Sequence, residues 1–176
     1  MAVNLKTPLG EDILNLKAGD IVYLSGTIFT ARDLAHRRMI KLSKRELPFD
    51  PSGAVIYHCG PIIKEIPGGY EVISAGPTTS ARMNTYLEDV LSMGIKGIIG
   101  KGGMDPEPFK KYGAVYFAFT GGAGALAARS IKRVLGVQWL DLGIPEALWL
   151  FEVENFPLVV AIDSRGNSLY KQGKYF

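Results

Sequence analysis

The chain has 176 residues and a formal net charge of +3, with 47% hydrophobic and 21% charged residues. These proportions predict one globular domain over residues 1–176 and exclude a disordered chain, and the basic run at residues 37–45 lacks the interleaved aromatic residues of a nucleic-acid surface. The start lacks a secretory leader and no run reaches the ~18 apolar residues of a membrane span, so we expect a cytoplasmic protein with neither a nucleic-acid nor a membrane partner.

Apolar stretches bounded by glycine or proline alternate with amphipathic stretches along the whole chain. Strands are predicted at residues 21–28, 54–59, 70–75, 95–99, 113–119, 134–140, 147–153 and 158–162. Helices are predicted to end near residues 43, 93, 111 and 133, with Thr30 as the cap of the first. Because the apolar strands are mostly continuous, the pattern predicts an α/β or layered α+β domain with a largely buried sheet.

Cys59 is the single cysteine of the chain. One thiol excludes an internal disulfide, and by itself it cannot ligate zinc or an iron–sulfur cluster. We therefore predict no metal site made by this chain alone and a reducing compartment. Because Cys59 ends an apolar stretch, we interpret it as a small buried residue.

The segment from Ser74 to Met83 has the pattern of an anion-binding helix start. Its sequence is SAGPTTSARM, in which Gly76 and Pro77 end the preceding strand and the next three residues, 78–80, are candidate helix caps. Free backbone N–H groups and the helix dipole attract a carboxylate or phosphate there, and Arg82, about one turn further on, adds a bidentate donor.

Polar or basic residues follow an apolar strand at four places. These places are residues 30–32, 78–82, 101 and 120–124. Ligands of open α/β sheets bind at the carboxyl ends of the strands, so we expect these segments to line one crevice. Arg32, Arg82 and Lys101 would supply three cations, which suits a small dicarboxylate.

Structural roles are the alternative for the same residues. Arg32 and Arg82 could pair with nearby acids, for which Asp33 and Glu88 are candidates, as exposed ion pairs. His36, four residues after Arg32, could orient Asp33 or be a structural histidine. The threonines at 78 and 79 could act as helix caps and Lys101 could mark an exposed turn.

Residues 76–83, GPTTSARM, resemble the signature of the β subunit of class I (iron–sulfur) fumarase and L-tartrate dehydratase. Further segments agree with it in the family's order, namely SGTIFTARDLAH at 25–36, YHCGP at 57–61, GKGG at 100–103 and VENFP at 153–157. Several collinear motifs along nearly the whole chain are more specific than one. The resemblance implies the swivelling β/β/α domain of iron–sulfur hydro-lyases.

The resemblance also implies an activity, the reversible hydration of fumarate to L-malate. It places Arg32, Arg82 and Lys101 on the substrate carboxylates, with Thr79 beside them, and Thr78 as the base that exchanges the C3 proton. Asp33 and His36 would stand behind these contacts. L-tartrate dehydration is the alternative, and fumarate is favoured because residues 78–84 and 86–88 look more like fumarase.

A further implication of the resemblance is that this chain is half of an enzyme. The reaction needs a Lewis acid or proton donor for the departing hydroxide, and the chain has no Lewis acid of its own. The resemblance supplies a [4Fe-4S] cluster on a partner α subunit, in a heterodimer or an α2β2 heterotetramer. A noncatalytic interaction module remains an alternative.

A dinucleotide-binding oxidoreductase is the rival interpretation. Gly122, Gly124 and Ala127 fit the G-x-G-x-x-A pattern after a predicted strand, and Asp141 lies near the distance of a ribose-binding acid. The motif stands late in the chain, however, and too little sequence follows it to complete a cofactor-binding half.

Overall fold

The computed structural model describes residues 2–119 and 124–170, and within these ranges it contains nine strands and four α-helices. The strands are β1 (Ala2–Lys6), β2 (Ile21–Thr30), β3 (Val55–Tyr57), β4 (Ile62–Ile66), β5 (Gly69–Ser74), β6 (Gly97–Gly100), β7 (Val115–Ala118), β8 (Ile131–Gln138) and β9 (Leu148–Ile162). The helices are α1 (Asp33–Met39), α2 (Asn84–Ser92), α3 (Pro106–Tyr112) and α4 (Gly124–Ser130). No helix in the described ranges combines the length and apolar character needed to cross a bilayer.

Seven strands form one sheet in the order β1-β2-β3-β6-β7-β9-β8. The first five run parallel to one another, whereas β9 is antiparallel to β7, β8 and β2. Because β9 also pairs with β2, the strands β2, β3, β6, β7 and β9 close into a ring. The hairpin β4–β5 forms a separate two-stranded sheet.

The central strands are buried on both faces, which explains their continuous apolar sequences. Along β3, Val55 and Tyr57 belong to one apolar cluster and Ile56 to the other. The first cluster lies among the strands and contacts the hairpin and β8, while the second packs under α1, α2 and α3. The mixed α/β class is confirmed, with apolar layers on both sides of the sheet.

The first helix is shorter than predicted, and its expected cap was wrong. Thr30 is the last residue of β2, where its hydroxyl donates to Ala147 O (3.4 Å) and accepts from Trp149 N (3.1 Å). This buried link to β9 occupies the side chain, so Arg32 is the residue that precedes α1. The helix ends at Met39 rather than near residue 43.

The second predicted helix begins with a tighter turn. A 3-10 helix at Ser80–Met83 leads directly into α2, and Thr79 before it makes no side-chain capping bond. The strand β4 was not predicted, and β8 begins where a helix was expected. The two strands predicted at residues 147–153 and 158–162 are one continuous strand, β9.

Candidate active site

The carboxyl ends of β2, β3 and β6 lie side by side because these strands are neighbours in the sheet. Residues 77–80, which we call the strap, cross between the ends of β3 and β6. Thr78 N donates to His58 O (2.7 Å), and Ser80 N donates to Lys101 O (3.0 Å). The structure therefore brings the anion motif to the sheet edge that the sequence pattern indicated.

Arg82 connects the strap to α1. Its Nη2 donates to Thr78 Oγ1 (3.1 Å) and to Asp33 Oδ2 (3.2 Å), and its Nε donates to Asp33 Oδ1 (3.4 Å). The side chain of Arg82 is 46% exposed, so the guanidinium is open to a ligand. Partial burial raises the pKa of Asp33, but the hydrogen bonds and positive charge of Arg82 outweigh it and hold that pKa below its usual value.

Arg32 is held by a carboxylate that sequence reasoning missed. Glu146, from the loop before β9, places Oε1 3.4 Å from Arg32 Nε and accepts from Leu34 N through Oε2 (3.1 Å). A Cβ on Gly60 would lie 2.6 Å from Arg32 Nη1, so this glycine leaves room for the guanidinium. Nothing in the local sequence indicates the contact, because Glu146 is more than a hundred residues from its partners.

Lys101 and Thr79 are joined through their backbones as an isolated parallel bridge. Thr79 is exposed and Lys101 is half-buried. Within the described ranges the Lys101 ammonium forms no ion pair, unlike the two arginines. The structure thus groups Thr78, Arg82 and Asp33 by direct hydrogen bonds, and places Thr79 and Lys101 beside them.

Two buried histidines lie beneath these groups, with ring centroids 5.1 Å apart. His36 Nδ1 donates to Arg32 O (2.7 Å) rather than orienting Asp33, and burial lowers the pKa of His36 to about 4. His58 Nδ1 lies 2.7 Å from Ser80 Oγ. Burial lowers the pKa of His58 as well, and the positive charge of Arg82, with that of His36 when it is protonated, lowers it further. Both rings are therefore neutral at pH 7.

The described residues do not fit an iron–sulfur cluster. Cys59 is free and buried, and burial raises the pKa of its thiol. Over residues 2–119 and 124–170, no three His, Cys, Asp or Glu side chains are grouped to hold a metal ion. A cluster needs several thiolates on one site, and the described residues alone do not supply them.

A cavity of about 560 Å³ lies at the opposite ends of the strands. Its lining includes Ser52, Lys96 and Gly113, which stand ahead of β3, β6 and β7. None of the predicted site residues lines it.

The topology disfavours the dinucleotide interpretation. Residues 120–123, which include Gly122 of the proposed motif and the fourth polar segment, lie outside the described residues. Helix α4 begins at Gly124 and leads to β8, whose pairing is antiparallel to β9 rather than parallel to β7. A Cβ on Gly124 would lie 2.2 Å from Ser74 Oγ, so this glycine permits close packing. Asp141 forms a bidentate pair with Arg38 (2.9 and 2.6 Å).

Comparison with known proteins identifies the family. A family model described as Fumarase C-terminus matches residues 1–173. A Methanocaldococcus jannaschii protein provisionally named L(+)-tartrate dehydratase subunit beta is 51% identical over 170 residues, which cover 92% of this chain and 87% of that protein. The L(+)-tartrate dehydratase subunit beta of Escherichia coli K12 is 42% identical over 176 residues, 97% of this chain and 87% of that protein.

A longer relative contains a similar module. A Geobacillus stearothermophilus protein provisionally named class I fumarate hydratase is 42% identical over 175 residues, 96% of this chain but 34% of that protein. The resemblance of the GPTTSARM segment and its companion motifs is confirmed by these matches. The chain belongs to the fumarase C-terminus family of hydro-lyases.

Proposed function

We propose that this chain is the β subunit of a class I hydro-lyase that interconverts fumarate and L-malate together with an α subunit. The observation that carries the proposal is the position of the Arg82 guanidinium, which contacts both the Thr78 hydroxyl and the Asp33 carboxylate at the ends of β3 and β6. A half-exposed cation beside a hydroxyl suits both carboxylate binding and proton transfer.

The chain's first task is to bind and orient the dicarboxylate. Arg32 and Arg82 each contact an internal carboxylate, which the two carboxylates of the substrate replace. Lys101 adds a third positive charge, and the exposed Thr79 hydroxyl donates a hydrogen bond. Cations at both ends fix the length and direction of the substrate, so that its C3 faces Thr78.

Thr78 with its hydroxyl deprotonated accepts the C3 proton of L-malate and becomes the neutral alcohol, which releases this proton to solvent before the next turnover. The C3–H electron pair forms the double bond of fumarate while the C2 hydroxide departs. An isolated alcohol is a very weak base, and the Arg82 N–H 3.1 Å from Thr78 Oγ1 favours the negatively charged oxygen. Departure of the hydroxide requires an acid, and the family resemblance assigns that role to the [4Fe-4S] cluster of the α subunit.

L-tartrate is the second candidate substrate. The relative with 42% identity is named L(+)-tartrate dehydratase subunit beta, and the relative with 51% identity carries the same name provisionally. These names support the alternative. The carboxylate contacts suit both substrates, because L-tartrate differs from L-malate by one additional hydroxyl. Initial rates with L-malate and L-tartrate on the same reconstituted complex decide between them.

Reconstitution of the complex tests whether turnover needs both this chain and the α subunit. The purified chain is mixed anaerobically with a cluster-bearing α subunit, and fumarate absorbance is followed after L-malate or L-tartrate is added. We expect turnover in the mixture and none in either subunit alone. Binding of NADH by the isolated chain, without turnover in the mixture, would instead support the oxidoreductase.

Substitutions test the proposed residues in that complex. Thr78→Val keeps the shape of the side chain but removes its hydroxyl. Arg82→Met keeps much of the side-chain length but removes the charge. Each should lower kcat by a factor on the order of 10² or more while folding and complex formation persist. Thr85→Val and Arg45→Met, at exposed positions, are the matched controls. Near-normal turnover in both Thr78→Val and Arg82→Met would refute the site.

A further inference from the structure

A buried hydrogen bond lies directly beneath the strap. Ser80 is 0% exposed and His58 is 1% exposed, and Ser80 Oγ lies 2.7 Å from His58 Nδ1. His58 Nε2 is also buried and has no partner among the residues that the structure describes. Burying such polar groups costs stability unless they are all paired, so apolar packing alone does not account for them.

Gly100 makes this bond possible. A Cβ at position 100 would stand 1.7 Å from Ser80 Oγ and 3.2 Å from His58 Nδ1, well inside contact distance. The backbone φ of Gly100 is not positive, so the glycine is needed for space rather than for an unusual conformation. The last residue of β6, immediately before Lys101, thus lacks a side chain where the Ser80 and His58 side chains meet.

The pair supports the strap at both ends. The backbone carbonyl of His58 accepts a hydrogen bond from Thr78 N, and the His58 ring is hydrogen-bonded to the Ser80 hydroxyl. Ser80 N donates a hydrogen bond to Lys101 O. The strap is therefore held by two backbone hydrogen bonds, one from Thr78 N and one from Ser80 N, and the side-chain bond between His58 and Ser80 connects them.

We propose that Ser80 and His58 are positioning residues that hold the Thr78 hydroxyl against Arg82 and keep Thr79 beside Lys101. The catalytic consequence rests on the proposed function, whereas the effect on the strap does not. The His58 ring and the Ser80 hydroxyl are both buried, so they act through the backbone of the strap. Their loss lowers the rate of proton transfer more than it weakens carboxylate binding, because Arg32 lies outside the strap.

Amide hydrogen exchange of the full chain, measured by NMR, tests the effect on the strap. Ser80→Ala and His58→Leu remove the bond, whereas His58→Asn keeps a side-chain amide near the position of Nδ1. The amides of Thr78 and Ser80 should exchange at least about tenfold faster in the first two variants and remain protected in His58→Asn. Ser92→Ala, which removes an exposed hydroxyl from α2, is the matched control.

Kinetics of the complex with the α subunit test the catalytic consequence. Ser80→Ala and His58→Leu should lower kcat by about 10- to 100-fold with KM changed by less than about threefold, and His58→Asn should recover most of the loss. Unchanged exchange at both amides, or faster exchange spread evenly over all strands, overturns the proposal. The exchange readout needs no turnover, so its failure is distinct from a failure of the hydro-lyase assignment, which Thr78→Val tests.

Discussion

At the scale of single residues, both arginines of the predicted site already contact a carboxylate. Asp33 pairs with Arg82, as one alternative anticipated, and Glu146 pairs with Arg32. Glu88, the other anticipated partner, pairs with Lys111 instead. Partly exposed ion pairs contribute about 0–1 kcal/mol, so a dicarboxylate can replace them at low cost.

Asp33→Asn tests this competition. The substitution keeps the shape of the side chain but removes the charge that repels a substrate carboxylate near Arg82. KM for the substrate should fall by about two- to fivefold, the equivalent of one exposed ion pair, and the difference should shrink at high salt. Steady-state kinetics of the complex at two ionic strengths measure this. Asp89→Asn on α2 is the control, and a higher KM in Asp33→Asn would contradict the competition.

At the scale of elements, the sequence predicted the parts whose burial is local and continuous. The apolar runs of β3, β6 and β7 are buried on both faces, and the Asp105 carboxylate caps α3 by accepting from Glu107 N (3.1 Å). The hairpin strand β4 was missed because most of its residues are exposed. β9 was divided because Asn155 and Pro157 are typical of a turn, whereas its pairing with β2 carries the strand through them.

For the candidate site, the sequence predicted the grouping of segments at the strand ends but not the side-chain contacts between distant residues. The rule that strand ends converge grouped the anion motif with Arg32 and Lys101, and the structure has β2, β3 and β6 as neighbours in the sheet. The contacts of Glu146 and of Ser80 with His58 join distant positions. No local periodicity or cap signal encodes such pairs, so they emerge only once the sheet order is known.

The histidine of α1 gives a prediction about pH. His36 has a pKa of about 4 in the folded chain, below its ordinary value of 6.5, because it is buried. The unfolded chain therefore binds the proton more readily, and the stability that neutral His36 preserves above pH 6.5 is lost as the pH falls from about 6.5 to about 4. The full loss is about 3 kcal/mol from this group.

His36→Asn isolates that contribution. Asparagine can donate to Arg32 O but does not titrate, so the free energy of unfolding should fall less steeply between pH 7 and pH 4.5 than in the unmodified chain. The dependence remains partial because the pKa of His58 is lowered too. Urea denaturation at a series of pH values measures both slopes. Equal slopes would show that the pKa of His36 does not differ between the folded and the unfolded chain, which would contradict its burial.

At the scale of the whole molecule, β9 ties the site strands into one unit. It pairs with β2, β7 and β8, and its Phe156 packs against Tyr57 of β3 and Phe119 after β7, with ring centroids 5.6 and 4.9 Å apart. Phe156 is 1% exposed. A closed ring of strands has no separate halves, and one domain over residues 1–176 stays a prediction.

Phe156→Ala tests whether the chain unfolds as one cooperative unit. Truncating a fully buried phenylalanine should lower the free energy of unfolding by about 3–5 kcal/mol, because apolar contacts are lost and a cavity remains. The closed ring of strands contributes side chains to both core clusters. Tryptophan fluorescence and far-ultraviolet circular dichroism should therefore still report one coincident urea transition. Leu169→Ala, at a side chain that is 54% exposed, should change the free energy by less than about 0.5 kcal/mol. Two separated transitions would mean that the strands bearing Arg32 and the strap fold independently, and that the site is assembled from two units rather than one.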